Sequence, residues 1–160
     1  MKIRQAQRED ATSILDLIHG LALYEKAPEQ VVATLEDIER SLFTEHPIAF
    51  CHVAEIDHKV VGIAIWFKNY STWLGQPGIY LEDLFVLPEF RKRGVGSALM
   101  KHLARLCVEL DYKRFQWWVL DWNTPAIDFY HSMGAVPMDE WTVFRLAGDA
   151  LKDYAARDVN

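Results

Sequence analysis

Between residues 79 and 110 the chain passes from an apolar strand, through a basic glycine turn, into a long amphipathic helix. This passage limits the possible folds more than any other stretch. Ile79-Tyr80-Leu81-Glu82-Asp83-Leu84-Phe85-Val86 reads as a strand that Pro88 ends. Beyond Arg91-Lys92-Arg93-Gly94-Val95-Gly96-Ser97, the apolar positions Val95, Leu99, Leu103, Leu106 and Leu110 recur by fours and threes, as a buried helical stripe requires. Glycines let the backbone turn tightly and bring its N–H groups close to a ligand. The free amides and dipole of the following helix then favour an anion. Arg91 and Arg93 add charge-assisted donors that suit phosphates, so a pyrophosphate-like ligand fits the turn. A two-glycine turn alone is equally a tight helix start. The P-loop is excluded, because no Gly-Lys-Ser/Thr follows. The dinucleotide fingerprint is excluded too, because Leu99 stands where its third glycine belongs.

The rest of the chain predicts a layered α/β domain around this passage. Lys2 to Ala6 alternates as an edge strand. Asp10 is placed to cap a helix with an apolar face of Ile14, Leu17, Ile18 and Leu21, and Thr34 with Asp37 forms a capping box for a short helix through Phe43. Ile48–Ile56 and Val60–Phe67 form a hairpin about Asp57-His58-Lys59. Phe115–Leu120 predicts a buried strand, and Thr124-Pro125 opens a short helix that ends near Gly134. Thr142–Leu146 predicts a last strand and Leu151–Ala156 a helical tail. No linker or repeat interrupts the 160 residues, which read as a single domain, 1–160.

Composition matters mainly for what it excludes. A formal charge of −6 argues against nucleic acid as a partner and suits a cationic small molecule. No apolar run is long enough to span a membrane, and the opening residues run straight into a strand pattern rather than a signal peptide. Cys51 and Cys107 lie in apolar surroundings and read as reduced core residues of a cytoplasmic protein. The evenly spaced His46, His52 and His58 cross a loop, a strand and a turn, so no metal site is expected. Trp66, Trp117, Trp118 and Trp122 read mostly as core; Trp73 is a candidate wall for a substrate or a partner subunit.

Arg91-x-x-Gly94-x-Gly96 after a β-strand resembles the acetyl-CoA motif of the GCN5-related N-acetyltransferase (GNAT) superfamily. Tyr24-Glu25, the block Tyr80–Val86, Trp122-Asn123-x-Pro125 and Asp128-Phe129-Tyr130-x-x-x-Gly134 are similar, in order and spacing, to its diamine (spermidine/spermine-like) acetyltransferase branch. The resemblance implies the GNAT fold: a central mixed, mostly antiparallel sheet flanked by helices. It implies acetyl-CoA as co-substrate, no metal, and a homodimer. The backbone of Leu84, Phe85 and Val86 would pair with the pantetheine arm. Arg91, Lys92, Arg93, Gly94, Val95, Gly96 and Ser97 would hold the pyrophosphate, and Asn123, Thr124, Pro125 and Ala126 would line the pantetheine. Tyr130 would sit beside the sulfur. Tyr24, Glu25, Glu82, Asp83, Trp117 and Glu140 would meet a cationic substrate. Two departures bear on the amine: Gln116-Trp117-Trp118 is bulkier, and Met138-Asp139-Glu140-Trp141 shorter, than the branch leads one to expect.

The chemistry asks for such residues. An alkyl ammonium with a pKa near 10.4 costs roughly 4.6 kcal/mol to deprotonate at pH 7 unless a carboxylate binds it and relays its proton. Strand alternation puts Glu82 and Asp83 on opposite faces, and Glu82 is the chosen base. A strand amide at Phe85 or Val86 would stabilise the oxyanion, and Tyr130 would protonate the departing thiolate. The expected function is acetyl transfer to a primary amine of a diamine, polyamine or lysine/thialysine-like substrate. Its rivals are another amine, such as an aminoglycoside or a protein N-terminus, and a CoA-binding regulatory module without turnover.

Overall fold

The computed structural model describes residues 1–157, which fall into two compact units, Met1–Trp118 and the described residues from Val119 on. The first holds β1 (Lys2–Gln5), α1 (Ala11–Tyr24), α2 (Leu35–Leu42), β2 (Phe50–Ile56), β3 (Lys59–Ser71), β4 (Gln76–Val86), α3 (Val95–Glu109) and β5 (Phe115–Gln116). The strands form one sheet in the order β1-β2-β3-β4-β5. The first four pair antiparallel and β5 joins β4 in parallel, giving the mixed, mostly antiparallel sheet expected.

The hairpin forms as its sequence predicts, with Asp57 and His58 at φ 49° and 62°, the left-handed pair that suits the twist of its strands. The capping box also forms: Asp37 N–H donates to Thr34 Oγ1 at 3.2 Å, and Thr34 N–H donates to Asp37 Oδ2 at 3.0 Å. Asp10 behaves differently. Its carboxylate makes no cap bond to α1; it accepts from Arg4 Nη1 and Nη2 at 2.6 and 2.9 Å and from Gln7 N–H at 2.8 Å. A guanidinium fork outbids a helix amide for a buried carboxylate.

α1 and α3 cover opposite faces of the sheet. The Ile63–Phe85 face receives α1 and α2, with Ile14, Leu17, Ile38, Cys51, Val53 and Ile65 in its core. Helix α1 approaches so closely that a Cβ on Gly20 would lie 2.8 Å from Phe85 Cε1. The Gly62–Val86 face receives α3: a Cβ on Gly62 would meet Val95 Cγ1 at 3.3 Å. Val95, Leu99 and Leu103 of the predicted stripe are buried and form core, Leu106 is half-buried, and Leu110, just past the end of α3, is exposed.

Only Phe115 and Gln116 of the expected 115–120 strand join the sheet, opposite Ile79 and Tyr80. The ladder stops just before β4 bulges at Glu82, and a bulge bends and twists its strand. Consequently Trp118 is exposed and packs edge-on against Tyr80, and Trp122 is exposed as well. The core role expected of these two tryptophans is not seen, whereas Trp66 is buried. Trp73 is 89% exposed.

The second unit contains α4 (Thr124–Ser132) and α5 (Gly148–Ala155). Pro125 lies in the first turn of α4. Its end is closed by Met133 and Ala135 N–H groups donating to the Tyr130 carbonyl, with Gly134 at φ 84°. The expected strand over Thr142–Leu146 is absent. No described strand pairs with these residues, and Phe144 is 91% exposed.

Candidate active site

The glycine turn builds an anion-binding end on α3. Gly94 sits at φ 78°, where a side chain is strained, and a Cβ there would meet nothing within 4 Å. The first helical bond runs from Ala98 N–H to the Gly94 carbonyl, so the amides of Val95, Gly96 and Ser97 have no helical carbonyl to donate to. No side chain caps them. Lys92, Arg93 and Ser97 are exposed around them, Arg93 stacking its guanidinium over Phe90 at 5.4 Å. Arg91 is placed otherwise. Its Nε donates to the Val86 carbonyl at 3.0 Å, and its guanidinium lies over the Tyr24 ring at 4.7 Å and the Phe85 ring at 5.3 Å.

Leu84, Phe85 and Val86 pair with Ala64, Ile63 and Gly62 of β3 on one side, and no strand of the sheet pairs with them on the other. A strand edge without a strand partner accepts an extended ligand by backbone hydrogen bonds. Amide-bearing pantetheine and a pyrophosphate fit an open edge that leads to a helix end with free N–H groups.

Glu82 and Asp83 are positioned by the bulge. Leu81 pairs with Trp66 and Asp83 with the neighbouring Ile65, so Glu82 is the extra residue and the strict alternation fails here. The two carboxylates therefore do not take the simple opposite-face arrangement that alternation predicts. The signal was present in the letters: two consecutive acids interrupt an otherwise apolar strand. Glu82 is exposed, while Asp83 is half-buried. Burial first, then repulsion from Glu82 and Glu25, pushes the Asp83 carboxyl up to about 6. Burial also raises Glu25, which caps the end of α1 next to Tyr24. Cys51, whose thiol is pushed up by burial and by the charges of Asp10 and Asp83, stays a protonated core residue.

The structure thus brings Tyr24, Glu25, Asp83, Phe85 and Arg91 together in the first unit. What sequence reasoning missed is that Arg91 bridges Tyr24 at the end of α1 and the Val86 carbonyl at the end of β4. Trp117, just after β5, is half-buried and edge-on to Phe115 at 4.9 Å. Asn123, Thr124, Pro125, Ala126, Tyr130 and Glu140 belong to the second unit. There Asn123 is buried, and its carbonyl accepts from the N–H groups of Ala126 and Ile127 at 3.0 Å each. Tyr130 is half-buried with its ring 5.5 Å from Phe129, and Glu140 is exposed. His52 is occupied by the core, accepting from Trp66 Nε1 at 3.1 Å and packing against His102.

Residues 12–135 match the acetyltransferase (GNAT) family. The chain belongs to that family. It is 38% identical to the thialysine N-epsilon-acetyltransferase of Bos taurus, over 97% of each chain. It is 29% identical to the human spermidine/spermine N(1)-acetyltransferase-like protein 1, over 96% of this chain and 24% of that one. Among solved structures, an integron cassette protein from the mobile metagenome of V. cholerae superposes with a TM-score of 0.82 at 26% identity, covering 98% of both chains. The GNAT fold and the acetyltransferase identity expected from the motifs are borne out, including their likeness to the diamine branch. Among the described residues no helix is long and apolar enough to cross a membrane.

Proposed function

We propose that this GNAT protein transfers the acetyl group of acetyl-CoA to a primary amine of a small cationic substrate, a diamine, a polyamine or a lysine/thialysine-like amino acid. The observation that carries the reading is the carboxylate corner of Glu25, Glu82 and Asp83, next in the chain to the open backbone edge Leu84–Val86. The family supplies the acyl donor, and the relatives named for thialysine and for spermidine/spermine support an amine that arrives as a cation.

In this reading the outward-facing backbone groups of Leu84 and Val86, on either side of Phe85, hold the pantetheine, and the amides at the start of α3 with Lys92, Arg93 and Ser97 hold the pyrophosphate. Asn123 to Ala126 line the pantetheine. Glu82, exposed, draws in the ammonium together with Tyr24, Glu25, Trp117 and Glu140. Asp83, with a carboxyl pKa near the working pH, is the better proton acceptor of the two carboxylates. The freed amine attacks the thioester carbon, the carbon–sulfur bond breaks, and the Val86 amide, which points away from β3, faces the oxygen that carries the transient charge. Tyr130 protonates the thiolate and is restored by the second proton that the attacking nitrogen sheds, so the products are the acetamide and CoA thiol. The two units work as one domain, which the span of the family match across both supports. We place the protein in the cytoplasm as a homodimer: Cys51 and Cys107 are both free thiols, and Val136, Met138, Trp141 and Phe144 form an exposed apolar stretch suited to a second copy.

Thiol release from acetyl-CoA should rise on adding diamines, spermidine, lysine or thialysine, and the acetylated amine should appear in equal amount. Release no faster with any of these than with buffer would overturn the reading.

A further inference from the structure

We infer that Arg91 is a positioning residue for the acceptor amine: it clamps the Tyr24–Glu25 end of α1 onto the end of β4, and so fixes the acidic corner. The inference rests on the proposed amine acetylation. It assigns to an arginine of the glycine turn a task other than holding phosphate.

The geometry begins with a mechanical problem. Helix α1 stops at Tyr24, where the Glu25 N–H donates to the Leu21 carbonyl and Lys26 takes a left-handed φ of 62° that turns the chain away. Gly20 fixes the helix against Phe85 one turn earlier. Past that point the Glu25 charge, after burial and Glu82, adds to what raises the Asp83 carboxyl, so like charges on the helix end and the strand oppose their approach. A cation that grips both elements is needed to hold them together. Arg91 meets the requirement, with Nε on the Val86 carbonyl and the flat guanidinium face over Tyr24 and Phe85. Lysine lacks both the planar face and the fixed Nε donor, though it keeps the charge a phosphate would feel.

Arg91→Lys therefore separates the two tasks. As a positioning residue, its loss lowers kcat/KM for the acceptor roughly 10-fold, mostly through the acceptor KM, while calorimetric affinity for CoA changes less than about threefold. Tyr24→Leu, which removes the ring beneath the guanidinium, gives a similar loss. The double variant loses no more than the worse single, because both changes break one contact. Denaturant unfolding of the four proteins reads the same contact independently of turnover and confirms that each variant folds. A loss confined to CoA affinity, additive losses in the double variant, or unmoved acceptor kinetics in a folded protein would each overturn the assignment. A wild-type protein that acetylates no amine would overturn the functional reading and this role with it. An active wild type with acceptor kinetics unmoved by Arg91→Lys would overturn this role alone.

Discussion

Two carboxylate corners on the same sheet are built to opposite electrostatic ends. At the β1 edge, buried Asp10 accepts both Nη groups of Arg4, whose Nε donates to Glu55 at 2.8 Å. The Arg4 hydrogen bonds, partly opposed by burial, hold the Asp10 carboxyl below the usual carboxylate range. At the bulge of β4, Asp83 is removed from water next to two further carboxylates, and its proton affinity rises. One corner matches every buried charge with a partner and serves the fold. The other keeps like charges together, a cost that folding alone gives no reason to retain. It becomes useful only when a cation arrives or a proton has to be taken up.

The contrast breaks most visibly at Asp83. Asp83→Asn keeps the shape and removes the proton acceptor, so kcat/KM for a diamine should fall roughly 100- to 10,000-fold. The denaturation midpoint should hold or rise, since a repelled charge is gone. Asp10→Ala should do the reverse: a stability loss of about 3 kcal/mol by urea unfolding, from stranding part of the Arg4 charge, with turnover of the folded protein unchanged. A stability loss for Asp83→Asn as large as for Asp10→Ala would make both corners structural. Glu82→Gln sharpens the picture within the acidic corner. Because Glu82 is exposed and screened, its loss should cost roughly 10-fold in kcat/KM for cationic amines, and less as salt is raised. An equal loss for a neutral, weakly basic amine would remove its role in attracting the cation.

How far these corners were legible differs for the same physical reasons. The glycine turn, the capping box and the hairpin depend on contacts between residues close in sequence, and Gly94, Thr34–Asp37 and Asp57–His58 do what their letters predict. Asp10 looked like a cap because the competitor, Arg4, reaches it from the neighbouring strand. The bulge at Glu82 and the stacking of Arg91 on Tyr24 depend on strand register and on where α1 ends, which no local pattern encodes. Thr142–Leu146 shows the converse: a short β-branched and aromatic segment forms no strand where no described strand pairs with it.

The smallest effect tests the comparison most directly, because the two corners should answer acid with opposite signs. Asp10 has a folded pKa below its unfolded value of about 3.9. The stability it contributes is present above that value and is lost as pH falls through the folded pKa, so its window lies below about pH 4. Asp83, raised to about 6, binds a proton more tightly folded than unfolded. Its charged form therefore weakens the fold above pH 6, and stability returns as pH falls from 6 towards about 4. Glu25, raised by burial, acts in the same direction. Urea unfolding of wild type and Asp83→Asn at intervals from pH 7.5 to 4.5 should show wild type gaining on the order of 1 kcal/mol relative to the variant, nearly all of it below pH 6.5. A flat difference would mean that Asp83 ionises as it does in the unfolded chain. The fold would then tolerate both carboxylate corners alike, and Asp83 would be no better a proton acceptor than exposed Glu82.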